Sequence, residues 1–238
     1  MLSFHKPDQT RIDAFLTRQT TGTYSYTEIG ASQESPPPGY AVDHHRVCLG
    51  TGQSTFLAGC EALRRWEMFN LGWVSVQPPH TPIAEGRVVA VIAHVFGCWF
   101  LNACRIVYIR EEEGPIETFG FAYGTLHDHM AQGEERFTIE WNHADDCVWY
   151  DLFAFSKPHH ILFRLGYPIA RRVQRRFALD SLAAMMQAVP TVSSGENASN
   201  LGYIQVIQRR TDPGELVRWG AFVGGIGVLL AIVGAWLV

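Results

Sequence analysis

Between residues 73 and 156 the sequence offers six candidate strands in succession, and the links between them are too short to hold crossover helices. The candidates are Trp73–Val76, Arg87–Val95, Phe100–Arg110, Glu117–Leu126, Glu134–Trp141 and Cys147–Ser156. Turn chemistry separates them at Pro78-Pro79, at Glu113-Gly114-Pro115 and from Asn142 to Asp146. Strands joined this way pair antiparallel, which excludes a doubly wound parallel sheet. Ahead of them, Arg46 to Leu49 reads as a strand. A helix is predicted from Ser54 to about Asn70, with Phe56, Cys60, Leu63 and Trp66 on one face and Gly72 ending it. After them, Gly166-Tyr167-Pro168 opens a long helix to about Val189, with Ile169, Val173, Phe177, Leu182 and Met185 as its apolar stripe and its arginines pointing away. The order predicts an α+β fold in which a curved antiparallel sheet wraps a long C-terminal helix. Such a packing buries one sheet face and often encloses a cavity.

The flanks are of different kinds. Residues 8–19 suit a short helix capped by Asp8, and residues 30–43, rich in Pro and Gly, read as a loop. Residues 1–43 therefore form an N-terminal helix and loop packed on the domain of residues 44–189. Residues 190–215 are mostly polar and read as a linker. Beyond Glu215 the only charged side chain is Arg218, in a chain where 18% of residues are charged. Trp219 to Val238 make 20 uncharged residues, about 30 Å as a helix, which matches a hydrocarbon core. Trp219 and Trp236 lie near its ends, and Arg209, Arg210 and Arg218 precede it. Residues 216–238 are accordingly expected to be a single transmembrane helix in the lipid bilayer, with the bulk of the chain cytoplasmic. Its length disfavours the alternative of a buried core helix. Gly220 and Gly224 form a G-x-x-x-G that could seat a homodimer.

A net charge of −4 and a pI near 6.2 give no reason to expect nucleic acid as a partner. Met1 to Pro7 holds no apolar signal core. The five cysteines contain no C-x-x-C pair and suit reduced, mostly buried thiols in a cytosolic domain.

Alternation assigns the faces of the strands. In Glu134–Trp141, Glu135 joins Phe137, Ile139 and Trp141, opposite Glu134, Arg136, Thr138 and Glu140, which read as wet. In the last strand Asp151 marks the outer face and Val148, Tyr150, Leu152, Ala154 and Ser156 point inward. Phe119, Phe121, Tyr123 and Thr125 share a face, and the small residues Gly120, Ala122 and Gly124 alternate with them. Arg105 shares a face with Val107 and Ile109. Charges on apolar faces must be paired, solvated by a cavity, or at the rim. Arg105, Tyr123 and Glu135 are therefore candidate polar groups of a pocket lined by Phe119, Phe121, Phe137, Ile139 and Tyr150.

Six blocks now carry a resemblance: Tyr26-Thr-Glu-Ile-Gly-Ala31, Arg46-Val-Cys-Leu-Gly50, Cys104-Arg-Ile-Val-Tyr108, Gly120-Phe-Ala-Tyr-Gly-Thr-Leu126, Gly133-Glu-Glu-Arg-Phe137, and Val148-Trp-Tyr through Ala154-Phe-Ser-Lys-Pro158. In this order and spacing, over about Asp8 to Met186, the chain resembles the uncharacterised DUF1990 (UPF0548) family. The resemblance implies a helix-grip domain of the START/Bet v 1 type and no established activity. His127-Asp128 departs from the Pro-Gly-like turn expected there, and residues beyond the match are not covered by it.

The chemistry-bearing candidates are few. Tyr123, His129 and Glu135 could perform acid–base work if burial raises the glutamate. The competing reading is a hydrogen-bonded rim that fixes the loop from Leu126 to Gly133. His127 and His129 lack a third ligand at diagnostic spacing, so no metal site is expected. The adjacent pairs His44-His45 and His159-His160 do not share a side. Gly50-Thr-Gly52 reads as a strand-to-helix turn, and no cofactor fingerprint is present. Residues 157–188 carry six positive charges against one negative, with Arg164, Arg171, Arg172, Arg175 and Arg176 forming a basic face suited either to anionic lipid or to solvent. Three functions follow from these features. The first is a membrane-tethered domain holding an apolar small molecule or lipid. The second is an enzyme using Glu135, Tyr123 and His129 on a hydrophobic substrate. The third is a membrane-anchored scaffold with a filled core.

Overall fold

The computed structural model describes residues 1–159 and 166–190, and the backbone of 204–206. The expected span 216–238 with Gly220 and Gly224, most of the linker, Arg164 and His160 lie outside the described residues. Among the described residues no helix is long and apolar enough to cross a membrane.

The strands are β1 (Leu2–Ser3), β2 (Ala41–Thr51), β3 (Val74–Gln77), β4 (Val88–Val95), β5 (Cys98–Glu112), β6 (Ile116–Thr125), β7 (Ala131–Asn142), β8 (Cys147–Pro158) and β9 (Ile204–Val206). The helices are α1 (Gln9–Gln19), α2 (Gly52–Arg64) and α3 (Tyr167–Ala188). All strand pairs are antiparallel, in the order β3-β4-β5-β6-β7-β8-β2-β9, and β1 lies beside the start of β5. The strand β9 stands within the expected linker and pairs with His45–Val47 of β2. Val74 and Val91 come from one end of this order and Val47 and Leu152 from the other. All four belong to one apolar cluster, so the sheet curls.

Inside the curl lie α2 and α3. Gly59 of α2 meets Ile139, where an added Cβ would come within 3.2 Å. From α3, Ala178, Leu182 and Met185 join the core, and Ser181 meets the Tyr150 hydroxyl at 2.8 Å. Phe177 stands only half-buried, over Phe69 with ring centroids 5.2 Å apart. Thus the C-terminal half of α3 is anchored and its N-terminal half stands over the sheet end. Arg172, Arg175 and Arg176 are exposed, but Arg171 turns back to the sheet.

The convex face is also covered, which corrects the expected wet face. Helix α1 lays Ile12 and Phe15 over Ala90, Ile92, Leu101, Ala103 and Leu126. Tyr26 and Tyr40 pack on Val42, Phe153 and Phe155. Glu134, Thr138 and Asp151 are consequently buried. Glu134 accepts from the Tyr26 hydroxyl (2.7 Å), the Ser32 hydroxyl (2.6 Å), the Ser32 amide (3.2 Å) and the Gly30 amide. Asp151 meets His44 at 2.6 Å and Arg136 at 3.2 Å. Burial alone would raise the Asp151 carboxyl. The hydrogen bond from His44 and the charges of His44, Arg136 and Arg46 outweigh it and hold the carboxyl below the usual range. Gly124 is the glycine this cover requires, since a Cβ there would come within 2.1 Å of the Tyr26 hydroxyl oxygen.

Arg105 is the second correction. The register of β5 against β6 shifts between Ile106 and Tyr108, leaving Val107 as an extra residue. The bulge breaks the alternation, so Arg105 lies on the convex face. It donates to the carbonyls of Gln19 (3.2 Å) and Thr20 (2.9 Å) and stacks on Tyr24. A guanidinium closing the C-terminal end of α1 satisfies carbonyls that the helix leaves open.

Candidate functional site

One rung of the ladder crosses four strands: Tyr123 on β6 faces Glu135 on β7, Glu135 faces Ala154 on β8, and Ala154 faces Asp43 on β2. Residues opposite one another share a sheet face, and here it is the concave one. Two carboxylates therefore flank one alanine, about 10 Å apart at the backbone from two strand spacings. The gap above Ala154 is the floor of a cleft of about 180 Å³. Its apolar wall is Phe69, Trp73, Val74, Val91, Val173 and Phe177, and its polar groups include Asn102, Thr125, His129, Ser156 and Gln174. The anchored helix holds the far wall: Arg171 donates to both Asp43 carboxylate oxygens (2.5 and 2.6 Å), and Gln174 donates to the Ser156 hydroxyl (3.0 Å). A bidentate pair of this kind fixes the helix end against β2.

Glu135 accepts a hydrogen bond of 2.5 Å from the Tyr123 hydroxyl. Protein surrounds the carboxyl although the cleft leaves the residue some access to solvent. Burial pushes it up to about 7, the bond from Tyr123 works against that shift, and the nearby Asp43 charge adds to it. His129 lines the same cleft. Its Nδ1 lies 2.9 Å from the Ala131 carbonyl and 3.0 Å from the Ala131 amide, which ties it to its own turn.

Of the residues singled out in the sequence, Tyr123, Glu135 and His129 thus meet at the cleft. Phe121, Phe137, Ile139 and Tyr150 are packed solid beneath it, with no exposed surface. Phe119 sits apart, under the Arg64 guanidinium, in a separate pocket of about 270 Å³ lined also by Ile83, Ile109 and Glu111. Arg105 is on the opposite face. His44 and His45 diverge, His44 outward to Asp151 and His45 under α3, buried with neither ring nitrogen bonded among the described residues. Alternation set Ala154 facing inward but did not single out Asp43, Phe69 or Trp73, because it treats each strand alone. The signal for Asp43 was available: an acidic residue on the face that carries Val47 and Leu49.

A family model described as "Domain of unknown function (DUF1990)" matches residues 25–184. A UPF0548 protein of Dictyostelium discoideum is 35% identical over 208 residues, covering 79% of this chain and 96% of that protein. A UPF0548 protein of Arabidopsis thaliana is 30% identical over 204 residues, covering 79% and 97%. Among solved structures, a hypothetical protein from Helicobacter pylori aligns with a TM-score of 0.47 at 9% identity, over 71% of this chain and 98% of that one.

Proposed function

This chain belongs to the DUF1990 (UPF0548) family of unknown function, and from that premise we propose that its cleft binds a small, largely apolar molecule whose polar end meets the Tyr123–Glu135 pair. The cleft above Ala154 carries the reading. At about 180 Å³ it is smaller than the roughly 300–1,000 Å³ that buries a drug-sized ligand. It is close to the roughly 150 Å³ of a cavity that holds benzene. The cleft therefore suits a ring-sized body with a short polar arm. A filled-core scaffold gains no support from an open space with polar groups converging on it. The helix-grip likeness belongs to the same proposal: the curled sheet and α3 form the grip, and the cleft is the space it leaves.

Native mass spectrometry of the full chain in detergent micelles tests the reading. A small-molecule adduct is expected on the wild type. Ala154→Leu, which fills the floor, should remove it while leaving the fold intact. An adduct that survives this substitution, or an empty wild type, counts against the site.

Catalysis is the second reading, and one observation favours it. A carboxyl near neutrality in a short hydrogen bond to a tyrosine can exchange a proton with a bound molecule at physiological pH.

The proposal also tethers the domain to a bilayer through residues 216–238, which the uncharged length and the preceding arginines support. Deleting these residues should release the protein from membranes. If carbonate washing already extracts the full-length chain, the tether is wrong.

A further inference from the structure

Resting on the binding reading above, we infer that the occupant is a small organic cation: an ammonium group seated over Ala154, between Glu135 and Asp43, on an apolar body held by the aromatic wall. Three observations converge. First, Asp43, Glu134, Glu135 and His129 are the titratable groups other than Tyr123 that line the cleft, and no lysine or arginine lines it among the described residues. Glu134 turns its carboxylate to the opposite face, which leaves Glu135 and Asp43 aimed inward. Arg171 pairs with Asp43 and commits three of its N–H groups to Asp43 and Gln174. It does not itself line the cleft. Second, Glu135 has a hydroxyl partner but no cation beside it among the described residues, although protein surrounds it. A buried carboxylate without a counter-charge is costly, and a ligand that supplies the charge recovers that cost on binding. Third, Phe69, Trp73, Tyr123 and Phe177 put four rings around one small space. Aromatic faces attract cations, and Trp73 already does so on this molecule, with the Arg176 guanidinium 4.4 Å from its ring centroid. An anion would meet the Glu135 carboxylate in a cleft that no lysine or arginine lines among the described residues. A neutral molecule would leave Glu135 without its counter-charge.

Calorimetric titration of the full chain at pH 8, where Glu135 is ionised, tests the inference with three probes of one shape: phenethylammonium, 2-phenylethanol and phenylacetate. The ammonium should bind about tenfold or more tighter than the alcohol, and phenylacetate should bind weakest. In Glu135→Gln the ammonium should lose its preference and fall to within about twofold of the alcohol measured on the same variant. Circular dichroism checks that this variant is folded. Equal or tighter binding of the alcohol or the carboxylate overturns the cation inference and leaves the binding site standing. Failure of all three probes also overturns it. If Ala154→Leu in addition changes no retained adduct, the binding reading falls with it.

Discussion

Replacing Glu134 with alanine should destabilise the protein by about 3–5 kcal/mol, although its carboxylate turns away from the cleft. The residue is 2% exposed and accepts four hydrogen bonds from three residues of the N-terminal segment. Truncation leaves two buried hydroxyls and two amides without their acceptor, at roughly 1–3 kcal/mol for each group that water cannot reach. Burial, followed by the neighbouring Glu134 charge, pushes the Tyr26 phenol above its ordinary range, so Tyr26 is a protonated donor at neutral pH. Urea unfolding of the full chain, followed by tryptophan fluorescence, measures the loss. A cost below about 1 kcal/mol would mean that water replaces the carboxylate and that the segment is held by its apolar contacts alone.

Glu135→Gln should act in the opposite direction and only at higher pH. The folded-state pKa of about 7 lies above the ordinary value of 4.5. Below 4.5 the carboxyl is protonated in both states and contributes no difference. Between 4.5 and 7 the folded protein holds more proton than the unfolded chain, so stability falls as pH rises. Above 7 the full penalty is present, on the order of 2 kcal/mol once solvent access through the cleft is allowed for. The amide can still accept from Tyr123 but cannot ionise. The variant should match the wild type near pH 4.5 and exceed it by about that amount at pH 8. Parallel stability profiles for the two proteins from pH 4.5 to 8 would show that Glu135 ionises without hindrance.

These two adjacent glutamates show what the sequence makes legible and where it stops. Alternation placed Glu135 with Phe137 and Ile139, and the strand boundaries follow the turn residues, because side-chain period and turn chemistry are local. Alternation also set Glu134, Arg136, Thr138 and Asp151 on the other face, where polarity suggested water. That face is polar because its cover is polar: Tyr26, Ser32 and His44 bind it through hydrogen bonds from more than 100 residues away in sequence, or from a neighbouring strand. A buried polar network and a solvated face have the same composition, so residue type alone cannot separate them. The glycines of β6 held the missing clue, since Gly124 makes room for Tyr26. Arg105 was misplaced by one inserted residue, and a bulge leaves no mark in a period count. The cleft itself depends on a rung across four strands, which becomes visible only when register is known.

The covered convex face bears on how a workable fragment of this protein is cut. The family model begins at residue 25, so a boundary drawn from it would keep the Tyr26–Ser32 clasp and discard α1. Ala90, Ile92, Leu101, Ala103 and Leu126, all buried in the whole chain, would then face water as one apolar patch. Such a patch favours self-association over a soluble monomer. The Arg105 guanidinium would lose the helix end that it closes. The unit that folds is therefore larger than the span of the family model, and the first 24 residues belong in any expression boundary.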